Sequence, residues 1–382
     1  MLVDRVLADL DVPLPEERMG NPLRGSRLGR CARQSAYMLW PDRFIPEPLP
    51  ARTKLVFRFG DLIHDLVRSE FRRVIKGEWG MEEEKFYFPV PLNHAEAKAA
   101  MKLLEGGQLH GHLRREGSRD LPLGRGGGVI LDESAQCLYV PIHPDGVADL
   151  SAYGERFSLA TTEIKSMATG SFKRALEGHV DYTYRVQMAC EIEAAGLDTH
   201  VFISVRKDTC HILEIVYSKH TDKVEIRFMK PSRMVEVLRL AGAELPGEAD
   251  WEAAEVRHPF EPHLLEEARR RVRRILRAQP HDLPAREYGP EFTCRTCQGS
   301  GTQTFAKGKA TPLKAGSKPC PDCGQTGKTD ESVLPWQCSY CPFVAECWRG
   351  LYRLEITERP SYIIQRSHFE QAGIIVEPPE AS

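Results

Sequence analysis

The sequence lacks several features, and each absence excludes a class of protein. It has no apolar run long enough for a signal peptide or a membrane span, so we expect a cytoplasmic, intracellular protein without a membrane partner. Its formal net charge is only −2 over 382 residues, so any nucleic-acid contact has to come from locally basic surface. A Gly-x-x-x-x-Gly-Lys-Ser/Thr phosphate loop is also missing, which excludes a nucleotide-driven motor of that type within the chain.

Cysteine, by contrast, is plentiful, with eleven residues. Cys137, Cys190 and Cys210 each lie in or beside an apolar run, where cysteine behaves as a small buried hydrophobic residue. Seven of the other eight fall between residues 294 and 347 in closely spaced sets. In a reducing compartment such sets bind metal more often than they form disulfides.

A carboxylate and lysine pattern occupies two predicted strands, 145–151 and 157–166. Asp149 follows Gly146 on the first strand, and Glu163-Ile164-Lys165 lies on the second. Glu163 and Lys165 are two residues apart and therefore point to the same face, where a hairpin brings Asp149 beside Glu163. Paired carboxylates bind Mg²⁺ or Mn²⁺, and an adjacent lysine stabilises charge on a phosphate or helps to activate a water. This is chemistry for hydrolysing a phosphodiester.

Two helical segments and one further carboxylate bear on this pattern. His64 falls at the edge of an apolar stripe on the helix predicted over residues 54–77, where histidines usually have a structural role. Tyr184 and Gln187 are three apart on a helix that follows the Glu-x-Lys strand, so they share a face. Asp145 is a nearby carboxylate that we rank as supporting or structural. The competing interpretation is that Glu163 and Lys165 form the solvent-facing side of one strand.

The order of these motifs resembles the RecB-like branch of the PD-(D/E)XK nucleases, which includes the AddB nuclease domain and the CRISPR-associated RecB-like exonucleases. That branch has a Gly-x-x-x-His helix, Gly-x-x-Asp, Glu-x-Lys and a helix containing Gln. Here the motifs are Gly60 to His64, Gly146 to Asp149, Glu163 to Lys165, and Tyr184 to Gln187. The family often has Tyr four residues after the Gln, whereas this chain has Glu191, and Tyr184 stands in from the preceding turn.

The resemblance implies roles for these residues and a fold for the chain. It implies that His64, Asp149, Glu163 and the Ile164 carbonyl bind the Mg²⁺ or Mn²⁺ ion. It implies Lys165 as the catalytic lysine, with Gln187 and Tyr184 positioning DNA or the active site. The implied fold is α/β, a restriction-endonuclease-like core in which helices flank a mixed sheet.

The implied activity is that of a metal-dependent deoxyribonuclease, with an exonuclease on single-stranded DNA or DNA ends as the best precedent. Such enzymes act in recombination, repair, phage replication or CRISPR adaptation, and are bacterial, archaeal or phage-encoded. Because the chain has no phosphate loop of that type, a helicase or recombination protein would have to be a separate partner. Two alternatives remain: a non-catalytic DNA-binding or assembly protein that retains the fold, and a chaperone-like zinc adaptor.

The last cysteines complete a second resemblance to RecB-like nucleases. Cys338, Cys341 and Cys347 present three thiolates, one fewer than a tetrahedral site needs, and Cys31 precedes the core. In several of these nucleases one early cysteine and a late Cys-x-x-Cys-x5-Cys hold a 4Fe–4S cluster, and the spacing here is similar. Such a cluster would close a loop of about 300 residues and stabilise the fold. Zinc is the alternative occupant.

Two further Cys-x-x-Cys pairs predict a zinc site. Their four thiolates, Cys294, Cys297, Cys320 and Cys323, suit a tetrahedral Zn²⁺, and each pair resembles half of the DnaJ zinc domain. That resemblance covers about 35 residues and implies no chaperone activity. We therefore divide the chain into an N-terminal segment, a nuclease core, a zinc insertion and an iron–sulfur segment, with bounds 1–53, 54–285, 286–335 and 336–382.

Overall fold

The structure is a computed structural model with two compact units. It describes residues 21–47, 51–74, 79–80, 85–114, 128–149, 159–209, 211–219, 224–229, 251–256, 261–294, 298, 300, 302–305, 316–355 and 361–376. None of the helices in these ranges combines the length and the hydropathy that a membrane crossing requires.

The first unit comprises Met1–Trp40 and Leu49–Asp282. After a 3-10 turn at Gly25–Arg27, its described helices are α1 (Ala32–Met38), α2 (Ala51–Val74), α3 (His94–Glu105), α4 (Thr169–Leu176), α5 (Tyr182–Ala195) and α6 (Pro262–Arg277). Its strands are β1 (Trp79–Gly80), β2 (Phe86–Pro91), β3 (Gly111–Arg114), β4 (Val129–Asp132), β5 (Cys137–Ile142), β6 (Gly146–Asp149), β7 (Leu159–Met167), β8 (Thr199–Arg206), β9 (Ile212–Ser218), β10 (Val224–Met229) and β11 (Trp251–Val256).

These strands form two mixed sheets. The larger has the order β1-β6-β7-β8-β9-β10-β11, in which only β7 and β8 run parallel. The smaller has the order β2-β5-β4-β3, with β3 and β4 parallel. The parallel pair β7 and β8 needs a crossover connection, which α4 and α5 supply. The prediction of an α/β fold with helices flanking a mixed sheet is confirmed at this level.

Helices cover both faces of the larger sheet at β7. Val67 of α2 packs on the face that carries Ile164, with Ala160 beside it. Tyr184 of α5 packs on the opposite face, against Phe202 of β8. Strand residues alternate between faces, so Glu163 and Lys165 lie on the α5 side. The polar residues of β7 are thereby enclosed between the sheet and a helix.

Helix α5 is buried around most of its circumference because it contacts both sheets and α6. Asp181 accepts a hydrogen bond from the Thr183 amide at its start, and Gly196, with φ of 65°, ends it in the left-handed conformation. Cys190 of this helix is fully buried, as is Cys137 on β5, in agreement with their interpretation as core residues. Cys210 lies outside the described residues.

The arginines of α6 have intramolecular partners. Arg271 and Glu267 form a buried ion pair of 3.0 Å, and Arg269 contacts Glu193 at 3.2 Å. Arg277 pairs with Glu96 of α3 at 2.5 Å. These arginines therefore stabilise the packing of α6 on its neighbours. Their charges are partly neutralised and are less available to contact a phosphate.

The second unit comprises Pro41–Pro48 and Leu283–Ser382. It contains the hairpin β12 (Thr302–Phe305) and β13 (Gly316–Pro319), and a sheet in the order β14 (Glu331–Val333), β16 (Ser361–Gln365), β15 (Tyr352–Glu355). Its helices are α7 (Trp336–Ser339), α8 (Val344–Cys347) and α9 (Arg366–Gln371). The zinc insertion and the iron–sulfur segment thus fall within one unit, whereas residues 1–40 belong with the core.

Candidate functional site

The register between β6 and β7 decides which carboxylate accompanies Glu163. Gly146 pairs with Thr162, and the Asp145 amide donates to the Thr162 carbonyl at 2.8 Å, so Asp145 lies at the end of this ladder, beside the Glu163–Ile164 segment. Asp149 pairs with Leu159, four residues further along the strand. At about 3.4 Å per residue this separates it from Glu163 by about 14 Å. The prediction that Asp149 lies close to Glu163 is wrong; the adjacent carboxylate is Asp145.

Asp145 is held by three groups from two elements. Its Oδ2 accepts a hydrogen bond from the Ile164 amide at 2.7 Å and lies 3.6 Å from Nδ1 of His64, while its Oδ1 pairs with Arg68. His64 and Arg68 are four residues apart on α2 and therefore share a face. Burial would raise the pKa of Asp145, but His64, the Ile164 amide and Lys165 together lower it to about 2. The carboxylate is ionised at neutral pH.

The glycine of the Gly-x-x-x-His helix brings α2 close to the sheet. A Cβ atom added to Gly60 would lie 3.1 Å from Oγ of Ser166 on β7. The missing side chain lets the helix approach the strand, and His64 follows one turn later on the inner side. Ile63 beside it is buried, which fixes the rotation of the helix.

Glu163 and Lys165 form an ion pair in the interior. Glu163 has 4% of its surface exposed, and Lys165 pairs with it directly. Burial raises the pKa of the Glu163 carboxyl; the Lys165 charge lowers it in part, and the Asp145 charge raises it further. The same pairing outweighs burial at Lys165 and raises its pKa to about 12. The ring of Tyr184 lies 5.7 Å from the Lys165 ammonium and adds a cation–π contact.

A buried polar network adjoins Glu163 on the α5 side. The Gln187 amide donates to Oε1 of Glu191 at 2.8 Å and also hydrogen-bonds Glu163. Oε2 of Glu191 lies 3.4 Å from Nδ1 of His200, and a hydrogen bond of 2.8 Å joins that nitrogen to Oγ1 of Thr161. Burial, with the Glu163 charge, raises the pKa of Glu191 well above its usual value, and burial with the Lys165 charge lowers the pKa of His200 to about 3.

The zinc-type cysteines converge in the second unit. The sulfurs of Cys294, Cys320 and Cys323 lie within 4.8 Å of one another and are buried, and Cys297 lies outside the described residues. Cys294 and Cys320 are 3.7 Å apart at Sγ. Tetrahedral sulfurs bonded at ~2.3 Å to one ion stand about 3.8 Å apart. This group can therefore bind a metal ion.

The cysteines of the iron–sulfur prediction are distributed over both units. Cys31 precedes α1 in the first unit, whereas Cys338, Cys341 and Cys347 lie on or beside α7 and α8 in the second. Cys338 and Cys347 pack against a core that contains Trp348. Within the described ranges, the zinc-type cysteines are the one group of three or more Cys, His, Asp or Glu ligand atoms gathered within 4.8 Å.

Comparisons with known proteins do not identify the chain. No family model matches the sequence, and no curated protein matches it. Among solved structures, the crystal structure of SSO0001 superposes with a TM-score of 0.32 and 10% identity, covering 73% of this chain and 89% of that chain. A similarity of this size carries no argument about fold or function.

The structure brings together most of the residues predicted for the catalytic site and places Asp145, rather than Asp149, beside them. Glu163, Lys165, Gln187 and Tyr184 lie around one point on β7, and His64 reaches the same hairpin through Asp145. Sequence reasoning missed Arg68 and His200 and gave Asp145 too small a part. The available signal was alternation: Asp145 and Asp149 share a face, so either could have faced Glu163.

Proposed function

We propose that this chain is a divalent-metal-dependent deoxyribonuclease that hydrolyses phosphodiester bonds, acting as an exonuclease on single-stranded DNA or DNA ends. One observation carries the proposal: Asp145 accepts a hydrogen bond from the Ile164 amide, between Glu163 and Lys165, and Lys165 is paired to Glu163. Two carboxylates whose charges oppose each other's ionisation favour a shared cation. The PD-(D/E)XK nuclease motifs quoted from the sequence support the same chemistry, with Asp145 taking the part first given to Asp149.

The donors of His64, Asp145 and Glu163 suit a Mg²⁺ or Mn²⁺ ion by their chemistry; their ligand atoms are not all within 4.8 Å of one another, so binding the ion would draw them together. Asp145, Glu163, His64 and the Ile164 carbonyl would hold it, since hard divalent cations prefer oxygen ligands and Mn²⁺ also accepts imidazole. The charges of Arg68 and Lys165 now neutralise these carboxylates. A bound ion would take over part of that neutralisation and supply Lewis-acid activation of the phosphate or of a water.

The protein's own residues account for the rest of the chemistry. Lys165 remains protonated at neutral pH, because its pKa is raised to about 12, so it acts as a fixed positive charge rather than as a proton acceptor. Beside Glu163, that charge would lie next to a phosphate bound at the proposed ion. Tyr184 restrains the ammonium from the α5 side.

The test is cleavage of end-labelled single- and double-stranded DNA with Mg²⁺ or Mn²⁺, using protein purified without oxygen. We expect the wild type to shorten the DNA from an end, Lys165→Ala to lose at least ~10²-fold in rate, and chelation to stop both. The ladder from each label gives the polarity. Wild-type protein that binds DNA and never cuts it would establish the non-catalytic binding role instead.

We further propose that Cys294, Cys297, Cys320 and Cys323 bind Zn²⁺, and that Cys31, Cys338, Cys341 and Cys347 hold a 4Fe–4S cluster. The spacing of 3.7 Å between Cys294 and Cys320 supports the first assignment. Sequence spacing supports the second. Metal analysis and the visible absorption of anaerobic protein test both, since iron gives colour and zinc gives none.

A further inference from the structure

Helix α5 and strand β8 contribute a buried polar group that the proposed nuclease chemistry does not use. Glu191 and His200 have 1% and 0% of their surfaces exposed, so neither can touch DNA or solvent. The predicted family has Tyr at the position of Glu191. An acidic residue and an imidazole here require an explanation, because buried polar groups cost free energy unless they are paired.

The connections of this group run in a ring that begins and ends on β7. Thr161 lies two residues before Glu163 on the same face of that strand. From Thr161 the ring passes to His200 at 2.8 Å, to Glu191 at 3.4 Å and to Gln187 at 2.8 Å. Gln187 then hydrogen-bonds the Glu163 side chain. The ring therefore connects Thr161 on β7 with the side chain of Glu163, two residues later on the same strand.

The Gln187 side chain can complete the ring in only one orientation. A carboxamide has two donor hydrogens on nitrogen, and two carboxylates, Glu163 and Glu191, lie within its reach. A flipped Gln187 would turn its oxygen toward the Glu163 carboxylate, which is paired with Lys165, and repel it. Glu191 accepts the hydrogen bond that orients Gln187, and Nδ1 of His200 lies 3.4 Å from the other oxygen of Glu191.

The ring is not arranged for stability alone. Within the described part of the chain, the buried Nε2 of His200 has no hydrogen-bond partner, and Oε2 of Glu191 lacks one of good geometry. Apolar residues of similar size would avoid that cost. These groups cost stability and restrain the Glu163 carboxylate. This is typical of residues that hydrogen-bond a metal ligand without contacting the metal themselves.

We propose that Glu191 and His200 are positioning residues that hold the Glu163 carboxylate, through Gln187 and Thr161, in the orientation that binds the divalent ion. This inference rests on the proposed function, because it assigns Glu163 to the ion. It predicts that the ring sets metal affinity and turnover while leaving DNA binding unchanged.

The experiment is Mn²⁺ binding by calorimetry on the full chain, with cleavage kinetics alongside. Glu191→Ala is expected to weaken Mn²⁺ binding ~10- to 100-fold and to lower kcat with an unchanged KM for DNA. Glu191→Gln keeps an oxygen that accepts from Gln187 and is expected to stay within about threefold of the wild type. Thr161→Val, which removes one hydroxyl with little change of shape, is expected to fall between them.

A matched control separates positioning from a general loss of stability. Glu267 is a buried glutamate in the same unit, paired with Arg271 at 3.0 Å outside the ring. Glu267→Ala is expected to lower the melting temperature and leave Mn²⁺ affinity unchanged. If Glu191→Ala also changes only the melting temperature, the positioning role is overturned. If Glu191→Ala does not fold, Thr161→Val decides: wild-type Mn²⁺ affinity in that variant overturns the proposal.

Failure of the wider proposal gives a different pattern. If the wild type and Asp145→Asn bind Mn²⁺ equally, or neither binds it, the metal centre itself is wrong. If Asp145→Asn loses binding and Glu191→Ala does not, the centre stands and only the ring lacks the assigned role.

Discussion

The choice between Asp145 and Asp149 can be tested by a matched pair of substitutions. Asp145 directly precedes β6 and Asp149 ends it, and both change to asparagine with little change of size. Two ligands bonded at ~2.1 Å to one Mg²⁺ lie at most about 4.2 Å apart. Asp145 contacts the Ile164 amide next to Glu163, whereas Asp149 is about 14 Å away along the strand. Asp149 is therefore too far from Glu163 to share an ion with it.

The expected magnitudes follow from that geometry. Loss of a direct ligand exceeds the ~10- to 100-fold effect of groups behind a ligand, so Asp145→Asn should weaken Mn²⁺ binding by more than ~100-fold. That corresponds to at least about 2.7 kcal/mol. Asp149→Asn should stay within about threefold, or ~0.7 kcal/mol. Cleavage rates at saturating DNA should follow the same order.

Loss of stability in Asp145→Asn would also lower Mn²⁺ binding and has to be measured separately. Asp145 pairs with Arg68, whose side chain is 19% exposed, so Asp145→Asn should cost less than the ~3–5 kcal/mol of a fully buried pair. Circular dichroism at the assay temperature shows whether the variant is folded. The reasoning is refuted if folded Asp145→Asn binds Mn²⁺ normally while Asp149→Asn does not, because the Gly-x-x-Asp motif would then be right and the register wrong.

Three further outcomes are expected. Cys320→Ser should lose about one equivalent of bound metal, measured by elemental analysis, because three ligands hold zinc less tightly than four. Cys341→Ala should lower soluble yield and remove the brown colour of anaerobic protein. The low pKa of His200, about 3, means that the unfolded state takes up the proton first as pH falls below ~6.5. Stability should therefore fall by about 2 kcal/mol more between pH 7.5 and pH 5 in the wild type than in His200→Gln, in urea titrations. Equal slopes would contradict the burial of a neutral imidazole.

The sequence was sufficient for the elements that carry the site. Alternation predicted a strand over 157–166, and the structure has β7 at Leu159–Met167. Helical periodicity predicted 54–77, and α2 spans Ala51–Val74. The Glu-x-Lys pair was placed on one face by its spacing alone, and the structure joins those two side chains. Local patterns suffice where the geometry is set within a few residues.

The register between β6 and β7 and the burial of His200 could not be predicted from local sequence patterns. Residues 150–158 separate β6 from β7 in the sequence, and a separation of that length is compatible with many pairings. A shift of four residues keeps every side chain on its face, so periodicity cannot distinguish Asp145 from Asp149. The burial of His200 depends on where α5 packs on the sheet, which no local pattern contains.

Helix α2 shows how the site itself disturbs the pattern. Its apolar stripe predicts that positions 59, 62, 63, 66 and 67 face the core, yet Phe59, Leu62 and Leu66 are 46%, 64% and 61% exposed. Successive residues are about 100° apart, so the side that holds Ile63 and Val67 also holds His64 and Arg68. His64 and Arg68 contact Asp145, so this partly polar side of α2 faces the sheet. The apolar pattern therefore does not predict which side of α2 faces the sheet, because His64 and Arg68 contact a buried carboxylate there. Such departures from patterning are expected at functional or strained sites.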